Sequence, residues 1–481
     1  MVIDIPCLIN GQWLTSERTK TLKDFEGTER VRLHGATPVH VRNAKRVMAQ
    51  VRAELAATPL SVLLRVVRSA AKEYCADATD VELIARLSGS PITYVKESVA
   101  AIQYWLQHID AYLENAFGVA NYEHVPVTVG ATEVGYRKHV PSGPVIAILP
   151  ANDDSVPAYV LAQLFLSKNP SLVKPSSHGA SAFAAERFLH ALHAAILREA
   201  PDRTYLTKAL QMAILLEEPG TDRTEQVVSL GIEGCTYVVF GSDDSVAQIS
   251  KAVERLKPRQ ILKLGTGFSV SVILADANLG HTLNEVYDSI TEDRGNKCTT
   301  THGLYVHEQV YAQVRAELLR LSQVPHAFTP LDPRARMGVL DEETRASVDR
   351  RLAERAQALS AGFRFYELEE HEPVEELPGP IVFVKKIRSV EHFCALLAAD
   401  RAKNLLEWNL VTSVYTEDER NVDLIASKLP AHVIKWNINS NAINLFIEHQ
   451  SLFLVRRVMQ ATVVEYFHAR KVKELTQEVR T

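Results

Sequence analysis

Residues 140–152 read VPSGPVIAILPAN, and the fold is decided here. A short run from Pro144 to Leu149 carries no polar side chain and is bounded by Gly143 and Pro150. An unbroken apolar run of this length between turn residues predicts a strand buried on both faces. A helical stretch, PAYVLAQLFLSKN, follows it. Then come a second strand, SLVKPSS, an Ala-rich helix, GASAFAAERFLHALHAAILREA, a third strand, CTYVVFGS, and a third helix, DDSVAQISKAVERL. Strand and helix in alternation predict a parallel sheet with crossover helices. Ligands of such sheets sit beyond the carboxyl ends of the strands. Asn152, Lys174 and Gly241 fall at those ends.

The pattern extends in both directions. Upstream, residues 37–120 read as helical, with Thr37 and Pro38 as cap and first turn and breaks near Ala76 and Gly89. Downstream, FSVSVIL, HGLYVH, PIVFVKKI and LVTSVYT read as strands. The segments HTLNEVYDSITED, EQVYAQVRAELLRL and NVDLIASKL read as helices between or after them. Two such blocks imply two α/β domains with a cleft between them. Residues 325–380, rich in Pro, Glu and Arg, read as surface helix and loops.

The chain has 481 residues, 46% hydrophobic and 23% charged, which is long enough for two or three domains. A formal net charge of -5 disfavours a nucleic-acid or membrane-surface partner. The five cysteines are widely spaced with no CxxC pair, so neither a disulfide framework nor a metal site is expected. No signal peptide and no membrane span are read, so a cytoplasmic location is expected.

Cys298, in RGNKCTTTHG, is the sharpest candidate for chemistry. A thiolate is a strong nucleophile, and Arg294 and Lys297 lie close in sequence to lower its pKa. Asn152 suits a donor to an oxyanion, Lys174 a hold on ribose or phosphate, and Gly241–Ser242 a phosphate site at a helix N-terminus. Singly these have blander readings: a core cysteine, a helix cap, a solvated lysine and a tight turn. GTGFSV lacks the third glycine of a dinucleotide fingerprint and runs into a strand, so it is rejected as a Rossmann loop.

In order and spacing, these residues resemble the aldehyde dehydrogenase superfamily. INGQW resembles the family's opening strand, and PSGPVIAILPAND its strand leading to the oxyanion-hole asparagine, here Asn152. LVKPSS resembles its VxKPSE element, which makes Lys174, Ser176 and Ser177 cofactor-side residues. VFGS resembles the FTGS turn and maps to Gly241 and Ser242, with Gly265 on the same side. GNKC resembles GQxC and makes Cys298 the nucleophile, while ELPGP resembles EIFGP, whose glutamate is here Glu376 and binds the nicotinamide ribose. TSVYTED resembles its ASVFT strand.

The resemblance implies two doubly wound parallel-sheet domains and a small oligomerisation element. A cofactor-binding domain is expected over 1–120 and 140–262, and a catalytic domain over 263–440. An oligomerisation or interdomain element is expected over 121–139 and 441–481. A homodimer or homotetramer is implied.

The sequence also departs from the family pattern. The family's ELGGK glutamate, which activates water, is replaced by Lys263, a poor base unless buried, which reads either as a group favouring the thiolate or as a surface or salt-bridged lysine with no role. Ser177 replaces an acidic residue that repels a 2′-phosphate, which favours NADPH, with NAD(H) possible and His178 adding charge. Val246 replaces a glycine of the cofactor turn, and the C-terminal glycine-rich segment is missing. KLGTGFSVSVI with VFGSDDSV is similar to the luminescence-type fatty acyl-CoA reductases. The expectation is therefore reduction of an acyl-CoA or acyl-carrier-protein thioester to an aldehyde. The alternatives are oxidation of an aldehyde to an acid, with Glu292 or Asp293 as base, and a catalytically silent binding protein. AAIQYWLQHIDAYL reads as an amphipathic core helix or as the border of a substrate tunnel.

Overall fold

A computed structural model describes residues 2–129, 132–217, 222–264, 268–323, 328–353, 363–403, 409–442, 444–447 and 452–465. Five short strands open the chain: β1 (Ile3–Ile5), β2 (Cys7–Ile9), β3 (Gln12–Leu14), β4 (Thr19–Lys23) and β5 (Glu29–His34). Five helices follow: α1 (Pro38–Ala57), α2 (Leu60–Ala71), α3 (Ala78–Ser88), α4 (Ile92–Gln107) and α5 (Ile109–Phe117). The Thr37 hydroxyl accepts from the His40 N–H and caps α1 at the expected position. Gly89 ends α3 with φ +71°, a conformation that carries no Cβ penalty in glycine.

A long hairpin, β6 (Val125–Val129) and β7 (Thr132–Pro141), leads into the alternating region. Here lie β8 (Val145–Ile148), α6 (Val156–Leu166), β9 (Ser171–Lys174), α7 (Ser181–Glu199), β10 (Leu210–Met212), α8 (Arg223–Leu230), β11 (Thr236–Phe240), α9 (Asp243–Val253) and β12 (Gln260–Leu264). They form a sheet in the order β12-β11-β8-β9-β10-β2-β3, parallel except for the β2–β3 hairpin at one edge. All four residues of β8 are buried, as its apolar run requires. The chain leaves β8 for β9 on one side and returns to β11 on the other, so the topology switches between β8 and β11.

The second block contains β13 (Ser269–Ile273), α10 (Leu279–Thr291), β14 (Thr301–His307), α11 (Glu308–Ser322), α12 (Glu342–Leu352), β15 (Arg364–Glu367), β16 (Ile381–Ile387), α13 (Val390–Lys403), β17 (Asn409–Tyr415), α14 (Glu419–Lys428) and β18 (Ala431–Trp436). Its sheet runs β15-β16-β14-β13-β17-β18, parallel throughout. A last strand, β19 (Met459–Glu465), pairs with β7 to make the small sheet β19-β7-β6. The larger sheets thus occupy residues 7–264 and 269–436, and the small one joins residues 125–141 to 459–465.

The α/β architecture is the one the sequence implies. The 325–380 stretch differs from its reading as surface helix and loops. It contributes an edge strand, β15, whose Phe365 and Tyr366 are buried with Phe363 just before it. Flanking charges mask the short apolar core of that strand. In α4 and α5, Trp105, Leu106, Ile109, Tyr112 and Leu113 are fully buried in the first domain's core, as a plain core helix requires. No single helix among the described residues is long and apolar enough to cross a membrane.

Candidate active site

A cavity of about 680 Å³ lies where the carboxyl ends of β8, β9 and β11 face the amino ends of β14 and β17. Cys298, Asn152, Lys174, Ser176, Gly241, Ser242 and Glu376 all line it, so most of the sequence-derived set converges on one place. Lys263 does not: it is the exposed residue of β12 and is not among the cavity-lining residues. Ser177 is buried and also stands outside the lining. Gly265 lies outside the described residues.

The cysteine loop is held on several sides. Asp293, Arg294 and Gly295 have φ of +47°, +64° and +63°, three successive left-handed residues that swing the chain from α10 toward β14. The Asn152 side-chain N–H donates to the Asn296 carbonyl at 2.9 Å, and the Ser269 hydroxyl donates to the Cys298 carbonyl at 2.9 Å. Thr299 donates to the Asn441 side chain at 2.7 Å. Asn152 therefore does not cap α6, where Ser155 holds the cap position. One amide hydrogen fixes the loop, and an amide nitrogen has a second to offer.

Burial, then the charges of Asp153 and Glu376, push the Cys298 thiol up to about 12, against the opposing pull of Lys297. The cation-lowered thiol expected from sequence is thus outweighed by burial and carboxylates. Lys297 is buried with its ammonium 4.3 Å from the centre of the Tyr94 ring. Burial depresses its pKa, but Tyr94 and the carboxylates of Asp153, Glu292 and Asp293 overcome this and hold it above the usual lysine value. Arg294 faces away from the cavity, packed against Gly89 and Gly338. Neither Glu292 nor Asp293 lines the cavity, and Asp293 accepts from the Ser90 hydroxyl. The cavity carboxylates are Asp153 and Glu376.

On the cofactor side, Lys174 ends β9, and Gly241–Ser242 link β11 to α9. Ser242 makes no side-chain cap to α9, which leaves the first-turn N–H groups of that helix available to phosphate. A cation, a hydroxyl, an uncapped helix start and a glutamate in the lining of one cavity fit a nicotinamide dinucleotide. Beyond Ser177, His178 links Lys20 at 3.3 Å to Glu217 at 3.2 Å.

The model of the aldehyde dehydrogenase family matches residues 13–365, most of the chain. The chain belongs to the aldehyde dehydrogenase family. Among curated relatives, aldehyde dehydrogenase family 7 member A1 of Pisum sativum is 23% identical over 216 residues, or 41% of this chain and 39% of that protein. The match thus spans well under half the length of the curated relative. Among solved structures, a salicylaldehyde dehydrogenase from Pseudomonas putida G7 superposes with a TM-score of 0.80 at 15% identity, covering 97% of this chain and 99% of that one. An NADP-dependent glyceraldehyde-3-phosphate dehydrogenase from Bacillus halodurans C-125 gives 0.75 at 17% identity, covering 96% and 99%. At such identity these likenesses speak for the fold.

In this aldehyde dehydrogenase-family fold, the site also contains residues the sequence reading passed over. Asp153, His302 and Lys435 all line the cavity. His302 is buried and its Nδ1 has no hydrogen-bond partner among the described residues. Lys435 lies in AHVIKW, where two polar residues among apolar ones give no clear alternation and signal only an ordinary part-exposed strand. Only the pairing of β18 with β17 places it at the cavity. For Asp153 the adjacency to Asn152 was an available signal.

Proposed function

We propose that this protein interconverts an acyl thioester and an aldehyde with a nicotinamide cofactor, through an acyl-cysteine on Cys298. The observation that carries this reading is the position of Lys263. It occupies the place of the family's water-activating glutamate, yet it is exposed on β12 and outside the cavity. A second thiol needs no hydrolytic base at that place.

In the reductive direction, Cys298 Sγ bonds to the thioester carbonyl carbon. Asn152 and the Cys298 N–H are placed to donate to the oxyanion. The carbon–sulfur bond to the carrier thiol breaks, and the proton lost by Cys298 leaves with that thiol. When bound, reduced nicotinamide supplies the hydride that releases the acyl group as aldehyde and returns the Cys298 thiolate. NADPH is the proposed cofactor, since Ser177 brings no carboxylate against a 2′-phosphate.

A second reading is water-dependent oxidation of an aldehyde to an acid. It is favoured by Asp153, whose Oδ1 is held by the Ser155 N–H and hydroxyl at 2.8 and 2.6 Å while the carboxylate lines the cavity. The proposal further includes a coenzyme A or carrier-protein thioester as substrate, a homodimer or homotetramer, and a cytoplasmic location. Exposed Trp436, Ile438 and Val463 are side chains of the kind an assembly contact covers, and the free state of all five cysteines suits a reducing compartment.

The test is intact-protein mass spectrometry after mixing with a panel of acyl thioesters, for wild type and Cys298→Ala. Thioester reduction predicts a wild-type adduct that persists in water, is discharged to aldehyde by NADPH, and is missing in the variant. An adduct that hydrolyses rapidly to acid selects the second reading. No adduct across the panel overturns thioester reduction and raises the standing of the catalytically silent binding protein.

A further inference from the structure

A partly exposed thiol held well above its usual range needs a group to take its proton, and neither Lys263 nor Glu292 reaches the cavity. Lys435 does reach it. In the sheet its neighbour on β17 is Ser413, and two residues back Val433 pairs with Val411. Val411, Val433 and Lys435 all line the same cavity as Cys298, so one face of this sheet edge forms part of the wall. Side chains two apart on a strand share a face.

The amine has a defined hydrogen-bond arrangement. Lys435 Nζ donates to the Ser440 carbonyl at 2.7 Å and to the Ala442 carbonyl at 2.6 Å. A third carbonyl, of Asn439, is 3.5 Å away, at the outer limit of a hydrogen bond. An ammonium has three N–H groups, whereas a neutral amine has two and a lone pair. Two short bonds satisfy the neutral amine completely. A third proton is held only by the long contact to the Asn439 carbonyl, so its loss breaks neither short bond.

We propose that Lys435 is the proton acceptor and donor for Cys298. The neutral amine takes the Sγ proton as sulfur bonds to the carbonyl carbon. The ammonium then gives that proton to the sulfur of the departing thiol as its bond to carbon breaks, and the amine is regenerated neutral. This inference rests on Cys298 being the nucleophile, as proposed above.

The surroundings fit the role. Burial first, and then the charge of Lys297, bring Lys435 down to about 8, while Glu292 and Cys298 pull the other way. A base poised near neutral pH is what proton transfer at a catalytic thiol calls for. Burial pushes His302, which also lines the cavity, down to about 4, too weak to compete. Among the described residues, the charged groups that act on Lys435 are Lys297, Glu292 and Cys298. Ser413 comes from β17 and carbonyls come from 439–442, while Glu285 of α10 is engaged by the Asn439 N–H at 2.9 Å.

The experiment follows carbamidomethylation of Cys298 by iodoacetamide from about pH 6 to about pH 10, resolved by peptide mass spectrometry. It compares wild type with Lys435→Met, Lys435→Arg and Lys435→Ala. The wild-type rate is expected to rise with a midpoint near 8. In Lys435→Met the rate near pH 7.5 falls by about 100-fold and that midpoint disappears. Arginine keeps a cation and donors for the two carbonyls but takes no proton, so Lys435→Arg also lacks the midpoint, and it carries the test if the Met variant fails to fold. Added methylamine restores the rate of Lys435→Ala in proportion to its free-base concentration, a response that a purely structural lysine would not give. A Lys435→Arg profile that superposes on wild type overturns the proposal, as does a folded Ala variant that methylamine leaves unchanged. A wild-type Cys298 that iodoacetamide never modifies overturns the nucleophile assignment itself, a distinguishable failure.

Discussion

The Gly379 N–H donates to the Gly295 carbonyl at 2.9 Å, joining the turn before Cys298 to the loop that carries Glu376. Gly295 has φ +63°, and a Cβ there would collide with the Gly379 carbonyl and Pro380 N. Two site loops from different parts of the chain thus meet backbone to backbone at a position only glycine fits. Gly295→Ala should cost about 2–4 kcal/mol, combining left-handed strain with overpacking. It should also slow Cys298 acylation more than its loss of stability explains. Thermal unfolding and single-turnover acylation check this together, and a wild-type melting temperature would show that the loops separate without cost.

Asn152→Ala removes both the proposed oxyanion donor and the 2.9 Å bond to the Asn296 carbonyl. Acylation by a thioester should fall by about 100- to 1,000-fold, the usual cost of losing one such donor. Alkylation by iodoacetamide forms no oxyanion, so its rate should change only a few-fold. Equal losses in the two reactions would mean that Asn152 merely holds the loop.

The α/β fold was legible because buried parallel strands write short runs rich in β-branched apolar residues, as VIAI does in β8 and, with two serines interleaved, SVSVI does in β13. Cys298, Asn152, Lys174, Gly241 and Glu376 were legible because motif order fixed them. Lys435 and His302 were not. Their significance comes from how their strands sit in the second sheet, β18 beside β17 and β14 beside β13, and polar residues in short strands ordinarily face water. Lys263 shows the converse, since its position in the motif was readable but its exposure on β12 was not.

Cofactor choice turns on the segment after Lys174. With Ser177 in place of a carboxylate and Lys20 bonded to His178, NADPH should bind more tightly than NADH. Lys20→Ala should weaken NADPH by about five-fold, the scale of one partly screened charge contact, and leave NADH unchanged. Fluorescence titration of both cofactors measures this. An equal effect on both would place Lys20 away from the 2′-phosphate.

His302 links the site to acid stability. Burial lowers its pKa from 6.5 to about 4, so above 6.5 folded and unfolded states are both neutral and its full contribution is present. As pH falls from 6.5 toward 4 the unfolded chain takes up the proton first, and stability is lost. The shift corresponds to about 3 kcal/mol over that window. His302→Phe should therefore show a shallower loss of urea midpoint between neutral pH and about pH 4.5 than wild type. Parallel acid limbs would mean that His302 is protonated in the folded protein.

Lys385 and Asp400 form a buried ion pair behind the Glu376 loop, with Nζ 2.8 and 2.9 Å from the two carboxylate oxygens. The Tyr305 hydroxyl donates to the same carboxylate at 2.6 Å, and the Val374 N–H donates at 3.3 Å. The carboxylate thus ties β14, β16 and α13 to the backbone two residues before Glu376. Asp400→Ala leaves an unpaired ammonium in the core and should destabilise by about 3–5 kcal/mol. Tyr305→Phe removes one hydrogen bond to a charged group and should cost about 1.5–3 kcal/mol. Because Val374 loses its anchor, Asp400→Ala should also speed hydrogen exchange through 374–380 and weaken cofactor binding at temperatures where the fold persists. Unchanged exchange in that segment, with stability lost elsewhere, would separate the ion pair from the positioning of Glu376.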